Sequence, residues 1–330
     1  MSQPAVLVSR ALFPEVLERL RRHFEVEDNP EDEVLAAPAL RQRLQAKQGL
    51  LAAGGERISA ELLAACPTLR VVANMAVGYN NIDVPACTAR GVLVSNTPDV
   101  LTETTADFGF ALMMAAARRM SEAERYLREG RWTKWRYDLL TGSDVHGATL
   151  GILGMGRIGQ AIARRGAAGF GMRVLYHNRS RLPPDTEAAL GAQYVDKPAL
   201  LSQADHLVLV LPYSAASHHA IGAAELALMK PTATLTNIAR GGIVDDAALA
   251  AALRAGRIAA AGLDVFEGEP AVHAELLALP NVVLTPHIAS ASLRTRRAMA
   301  DLAADNLIAA LTGGVPPTPV NPEVLAAARA

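Results

Sequence analysis

Cysteine is almost missing from this 330-residue chain: there are only Cys66 and Cys87. Two thiols that match no metal motif cannot build a disulfide framework, so stability must come from packed cores, and ordinary thiols in a reducing cytosol are expected. Charge of one sign is missing as well. The 32 basic and 33 acidic residues leave a formal charge of -1 and a sequence pI of 6.7, which gives no global attraction to nucleic acid or to an anionic membrane. Lysine is scarce, with 4 of the 32 basic positions against 28 arginines, so a lone arginine carries little weight as a signal. Long apolar runs are absent too. The longest, such as Phe108–Ala117 and Leu207–Leu211, fall short of the roughly 18 residues of a spanning helix. The N-terminus has no basic stretch ahead of an apolar core and reads as a first strand, not a signal peptide, which points to the cytoplasm.

What is present is repetition of one grammar. At roughly 150 residues per domain the length allows two folding units. Short apolar or β-branched runs at Ala5–Val8, Gly49–Ala53, Arg70–Ala73 and Val92–Val94 alternate with amphipathic stretches such as Pro14–Phe24, Pro38–Ala46 and Ser59–Ala65. The alternation restarts at Thr149–Leu153 and continues through Met172–Tyr176, Ala204–Leu211, Thr232–Ile238, Ile258–Val265 and Val282–Thr285. Each series predicts βαβ units and a parallel sheet, making an α/β protein with two Rossmann-like domains. Val100–Arg128 reads as one long helix joining them. A last helix over Ser292–Leu311 stops at Gly313-Gly314, and the tail Asn321–Ala330 is expected to be weakly ordered.

Directly after the strand Thr149–Leu153 comes Gly154-Met-Gly156-Arg-Ile-Gly159, which opens a helical pattern over Ile158–Ala168. In that context the glycines predict a dinucleotide site. Gly154 allows the tight turn, Gly156 lets the backbone approach a pyrophosphate, Gly159 lets helix and strand pack, and the amides of Arg157 and Ile158 face an anion. An NAD site usually carries an acid about 20 residues on. Here there is no Asp or Glu between Ile152 and Pro184, and the second strand ends in Asn178-Arg179-Ser180-Arg181. Two guanidinium forks, an amide and a hydroxyl suit a 2′-phosphate, so NADP(H) is expected in preference to NAD(H), which stays possible.

Three polar segments follow later strands of the same series: Thr236–Gly242 with Arg240, Gly262–Pro270 with Asp264 and Glu269, and Leu284–Ile288 with His287. Reduction of a 2-oxo acid needs a cation for the carboxylate and carbonyl, a proton donor for the nascent alkoxide and a group that keeps that donor protonated. Arg240, His287 and Glu269 supply those three roles, the carboxylate favouring imidazolium. His206, His218 and His219 show no ligand partner at metal spacing and read as surface residues, so no metal is expected.

With these segments stand Asn74–Asp83, Asn96–Asp107, Ala239–Asp245, Gly262–Phe266 and Pro286–Ile288. Together they resemble the signatures of the D-isomer-specific 2-hydroxyacid dehydrogenase family over nearly the whole chain. The resemblance implies a flavodoxin-like substrate domain, residues 1–98 and 288–330, wrapped around an inserted dinucleotide-binding domain, residues 99–287, with a dimerisation helix at about 100–128. It implies catalysis by Arg240, Glu269 and His287, a substrate carboxylate held by the amides of Val77 and Gly78, and Asp264 on the nicotinamide amide. Thr105, Leu211, Pro212, Ser217 and Ala239 would line the cofactor. The pairing of Asn178–Arg181 with Arg131-Trp132-Thr-Lys-Trp135 is most similar to the glyoxylate and hydroxypyruvate reductases and the related 2-ketogluconate reductases, in which Trp135 of a homodimer would reach the partner's substrate site. The implied activity is NADPH-dependent reduction of a small 2-oxo acid in a closing cleft. A dinucleotide-sensing corepressor of the same fold, which binds partner peptides, is the rival of a different class, and an extended tail or a peptide groove would distinguish it.

Overall fold

The computed structural model describes residues 3–327 and divides the chain into two compact units, Met1–Leu101 with Ser292–Ala330, and Thr102–Ala291. The first contains strands β1 Ala5–Val8, β2 Glu25–Glu27, β3 Gly49–Ala52, β4 Val71–Asn74 and β5 Leu93–Ser95, all parallel, in the order β2-β1-β3-β4-β5. That is the flavodoxin-like order. Gly49–Ala52 and Val71–Asn74 are buried at every position because helices cover both faces, as a parallel sheet requires. Helix Leu293–Leu311 returns from the far end of the sequence to one of those faces, burying Ala300, Ala303, Ala304 and Leu307 with Val6, Val8, Leu51 and Val71.

The second unit holds β6 Thr149–Leu153, β7 Arg173–His177, β8 Ala192–Tyr194, β9 His206–Leu209, β10 Thr234–Asn237, β11 Ala260–Leu263 and β12 Val282–Leu284. Their order is β12-β11-β10-β9-β6-β7-β8, all parallel. The direction of winding reverses at the neighbours β6 and β9. Ligands of open parallel sheets bind outside the carboxyl ends of the strands at such a switch point. Local sequence starts several helices: Asp196, Asp245 and Ser292 each accept a hydrogen bond from the third residue onward, Ala199, Ala248 and Thr295, at 2.7, 2.9 and 3.2 Å. Among the described residues no helix is long and apolar enough to cross a membrane.

Four sequence expectations are corrected here. The single helix over Val100–Arg128 is two, Thr102–Ala117 and Met120–Arg128, because Arg119 adopts a left-handed conformation with φ 55° and the Ser143 N–H takes the Ala117 carbonyl at 2.9 Å. The tail is anchored: buried Asn321 accepts from the Val94 N–H at 2.7 Å and donates to the Val92 carbonyl and Thr88 hydroxyl, and Glu323–Ala327 is helical. Residues 328–330 lie outside the description. His206 is not a surface residue. It is fully buried in β9, with Nδ1 2.9 Å from the Thr234 hydroxyl and Nε2 3.0 Å from the Asp144 carbonyl. His219 is half-buried rather than on the surface, its Nε2 lying 2.9 Å from Glu267. Cys66 and Cys87 are free, buried thiols, and burial pushes Cys87 up to about 11.

Candidate active site

The glycine loop connects β6 to helix Arg157–Arg164. Gly154 has φ +105°, and a side chain there would lie 2.7 Å from the Leu211 N–H. This close approach sets the Leu211-Pro212 turn beside the loop. A side chain at Gly159 would strike the Gly154 carbonyl at 2.4 Å, whereas at Gly156 it would meet nothing within 4 Å. Gly159 is therefore demanded by the fold itself. Gly156 is a cradle left open in front of a helix start that no side chain caps, where the first N–H groups favour an anion. The buried Thr105 hydroxyl has no partner among the described residues, and Ser217 ties its own loop by donating to the Pro212 carbonyl at 2.9 Å. These features fit a dinucleotide.

At the end of β7 the Asn178 side chain accepts from the Met155 N–H at 2.6 Å and so fastens the turn to the glycine loop. Arg179, Ser180 and Arg181 are exposed. Sequence inspection found no acid up to Pro184, but helix Pro184–Leu190 supplies one. Glu187 accepts from Arg181 at 2.9 and 2.7 Å. The periodicity of that short helix was the available signal.

Because β10, β11 and β12 are neighbours, the three polar segments that follow them emerge side by side. Arg240 follows β10; Asn237 accepts from the Ala239 N–H and donates to the Arg240 carbonyl, shaping the turn. Gly241 permits the next contact, since any side chain there would collide with the Phe266 carbonyl at 1.7 Å. Burial pushes the Arg240 guanidinium down, and the Glu269 charge opposes that shift. Arginine nevertheless remains cationic at any physiological pH. After β11, Glu269 accepts from the Phe266 N–H at 2.8 Å and from His287 Nδ1–H at 2.8 Å. Burial drives this carboxyl up, but the hydrogen bonds from His287 and Phe266 and the charges of His287 and Arg240 outweigh it and hold it below the usual range.

His287 follows β12 and is exposed, with φ 53°, a left-handed conformation that costs a β-carbon residue strain. Asp264 holds it there. Wholly buried, its carboxylate accepts from the Thr285 hydroxyl and the N–H groups of Ile288 and Ala289, at 2.7, 2.8 and 2.8 Å. The aspartate that the resemblance gives to the nicotinamide amide thus also clasps the turn carrying the histidine. With Nδ1 spent on Glu269, Nε2 makes no hydrogen bond among the described residues.

In the first unit Val77 and Gly78 follow β4. The Asn96 side chain donates to the Val77 carbonyl at 2.8 Å and the Asn74 side chain to the Gly78 carbonyl at 3.0 Å. Both backbone N–H groups lack an acceptor among the described residues. The arrangement can grip an anion. Trp132 and Trp135 are 55% and 76% exposed, away from these side chains in sequence and bound to none of them.

His218, His219 and Glu267 form a cluster that sequence spacing did not reveal, with candidate ligand atoms all within 4.8 Å of one another. The two imidazoles are stacked with centroids 3.9 Å apart at 24°. His219 Nε2 lies at hydrogen-bond distance from Glu267, 2.9 Å.

The comparisons with known proteins agree with this geometry. Residues 110–289 match the model of the D-isomer specific 2-hydroxyacid dehydrogenase NAD binding domain. The chain is 50% identical over 327 residues to a glyoxylate reductase of Thermococcus onnurineus, covering 98% of this chain and 97% of that one. It is 46% identical over 327 residues to the glyoxylate reductase of Pyrococcus furiosus, with coverages of 98% and 97%. Among solved structures, an NADPH-dependent glyoxylate/hydroxypyruvate reductase of Sinorhizobium meliloti, in complex with NADP and malonate, superposes with TM-score 0.86 at 41% identity, covering 97% of both chains. A glycine loop at the switch point, a Glu269–His287 pair beside Arg240, and identity at this level along the whole chain mean that the protein belongs to the D-isomer specific 2-hydroxyacid dehydrogenase family, within its glyoxylate reductase subgroup.

Proposed function

We propose that the protein reduces small 2-oxo acids, glyoxylate and hydroxypyruvate, to D-2-hydroxy acids with NADPH. The observation that carries this reading is the Glu269–His287 pair, whose histidine keeps Nε2 for a substrate oxygen. A bound nicotinamide cofactor supplies the hydride. Gly154, Gly156, Gly159, Arg157, Ile158, Thr105, Leu211, Pro212, Ser217 and Ala239 hold it, and Asn178, Arg179, Ser180 and Arg181 read its 2′-phosphate. The N–H groups of Val77 and Gly78 grip the substrate carboxylate. Arg240 polarises the carbonyl, so that negative charge growing on oxygen is met by a fixed cation in a poorly hydrated setting. His287 Nε2–H gives its proton to that oxygen, and Glu269 stabilises the imidazolium before transfer and fixes the ring through Nδ1.

The NADP-bound state of the Sinorhizobium meliloti relative supports the choice of cofactor, as do Arg179 and Arg181 at the end of β7. The enzyme works in the cytosol, where Cys66 and Cys87 stay reduced, as a homodimer in which Trp135 reaches the partner's substrate. Steady-state assays of glyoxylate, hydroxypyruvate and 2-ketogluconate, each with NADPH and NADH, test the proposal. The expected result is highest kcat/KM for glyoxylate or hydroxypyruvate with NADPH. Preference for NADH overturns the cofactor reading, and NADPH fluorescence quenching with no oxidation by any 2-oxo acid favours a sensor.

A further inference from the structure

The turn after β7 is built around a carboxylate whose role the chemistry above leaves open. Glu187, at the base of helix Pro184–Leu190, accepts both Nε–H and one Nη–H of Arg181, at 2.9 and 2.7 Å, and the hydroxyl of Tyr176 at 2.6 Å. Tyr176 is fully buried in β7, and its hydroxyl also accepts from the Leu182 N–H at 2.8 Å. The glutamate side chain is 9% exposed and the arginine 63%. A carboxylate fixed by a core tyrosine therefore fixes one edge of an otherwise exposed guanidinium. Arginine has five N–H donors in a rigid fork. A bidentate carboxylate occupies one edge, and the remaining donors, on the other terminal nitrogen and half of the shared one, face away from Glu187.

We propose that Glu187 is a positioning residue for cofactor choice: pinned by Tyr176, it holds Arg181 with its free edge toward the 2′-phosphate of NADPH. The sign of its effect is then opposite to that of an acid at the strand end. An acid there repels the phosphate, whereas Glu187 lies behind the arginine and sets the fork's direction in advance, so less rotamer freedom is lost on binding. The bonds from Arg181 and Tyr176 keep the Glu187 carboxyl below the usual range, which favours the ionised form that pairs with Arg181. The proposal rests on the reading that Arg179–Arg181 recognise NADPH, and the test separates the two.

The test is a double-mutant cycle on KM for NADPH, with kcat and KM for NADH as internal standards of a folded, active enzyme. Arg181→Ala is expected to raise KM for NADPH, and so is Glu187→Gln, by about tenfold, as for loss of a hydrogen bond to a charged group. With Glu187→Gln, kinetics with NADH should be unchanged. In the Arg181→Ala background Glu187→Gln should have no further effect. Should Glu187→Gln lower the yield of folded enzyme, Tyr176→Phe, which frees the carboxylate from its anchor, should raise KM for NADPH alone in the same sense. If Arg181→Ala leaves KM for NADPH unchanged, the reading of the turn fails and the inference with it. If Arg181→Ala raises it but Glu187→Gln lowers it or leaves it alone, the turn does read the phosphate and the inference alone is overturned: Glu187 is then a competitor for Arg181 or a purely structural salt bridge.

Discussion

At the scale of the residue, His287, the proposed proton donor, is held by two contacts and one backbone conformation: Glu269 on Nδ1, the Asp264 clasp beneath the turn, and its own left-handed φ. His287→Ala is expected to lower kcat by about a hundredfold to ten-thousandfold, the usual range for a lost general acid. NADPH affinity, followed by fluorescence, should hardly change. Near wild-type turnover would remove His287 from the mechanism. Glu269 yields a pH prediction with a definite sign. Its folded-state carboxyl is held below the ordinary glutamate value, so its contribution to stability is fully present above that value, about 4.3, and is lost as pH falls through the lower folded one. In chemical denaturation between about pH 3 and 6, the gap between wild type and Glu269→Gln should close toward the acid end. A gap that widens there contradicts the sign.

At the scale of the element, the glycine loop separates fold from function within a few residues. Gly159→Ala forces a methyl group against the Gly154 carbonyl at 2.4 Å, an overpacking expected to cost about 1–3 kcal/mol and visible as a lower Tm. Gly156→Val meets open space and should fold with an unchanged Tm, yet its side chain occupies the cradle, so affinity for NADPH should collapse. An equal Tm loss in both variants would mean that Gly156 serves packing. The break at Arg119 makes a related point. Residues 100–128 have helical periodicity throughout, but which carbonyls remain free to continue a helix is decided by Ser143, which takes the Ala117 carbonyl from a distant part of the chain. Side-chain periodicity cannot report a competitor for the backbone.

At the scale of the whole molecule, the first unit is assembled from both ends of the chain. A fragment of residues 1–101 lacks helix Leu293–Leu311 and leaves one face of its sheet covered only by helix Pro14–Arg21, so it is expected to remain unfolded, while 102–291 has its own two-sided sheet and should unfold cooperatively and bind NADPH. Circular dichroism melts of the two fragments decide this. Asn321→Ala should destabilise the intact protein by about 1–3 kcal/mol, because the buried Val94 N–H and Val92 carbonyl lose their partner.

The sequence by itself determined the parallel α/β class and the glycine loop and singled out the segments that carry Arg240, Glu269 and His287, because each rests on short-range information: strand-length apolar runs, a turn that only glycine can make, and polar residues placed directly after strands. Only the tertiary structure decided which strands are neighbours and therefore that the three polar segments emerge together. It also decided that His206 lies in the core, that Glu267 stands beside His219, that the tail is pinned through Asn321, and that an acid does reach the β7 turn, as Glu187 behind Arg181. The physical reason is common to all of them. Burial and pairing depend on which groups meet in space: the partners of His206, His219 and Asn321 lie 28 or more residues away along the chain, and Glu187, only six residues from Arg181, meets it because of how the turn between them folds.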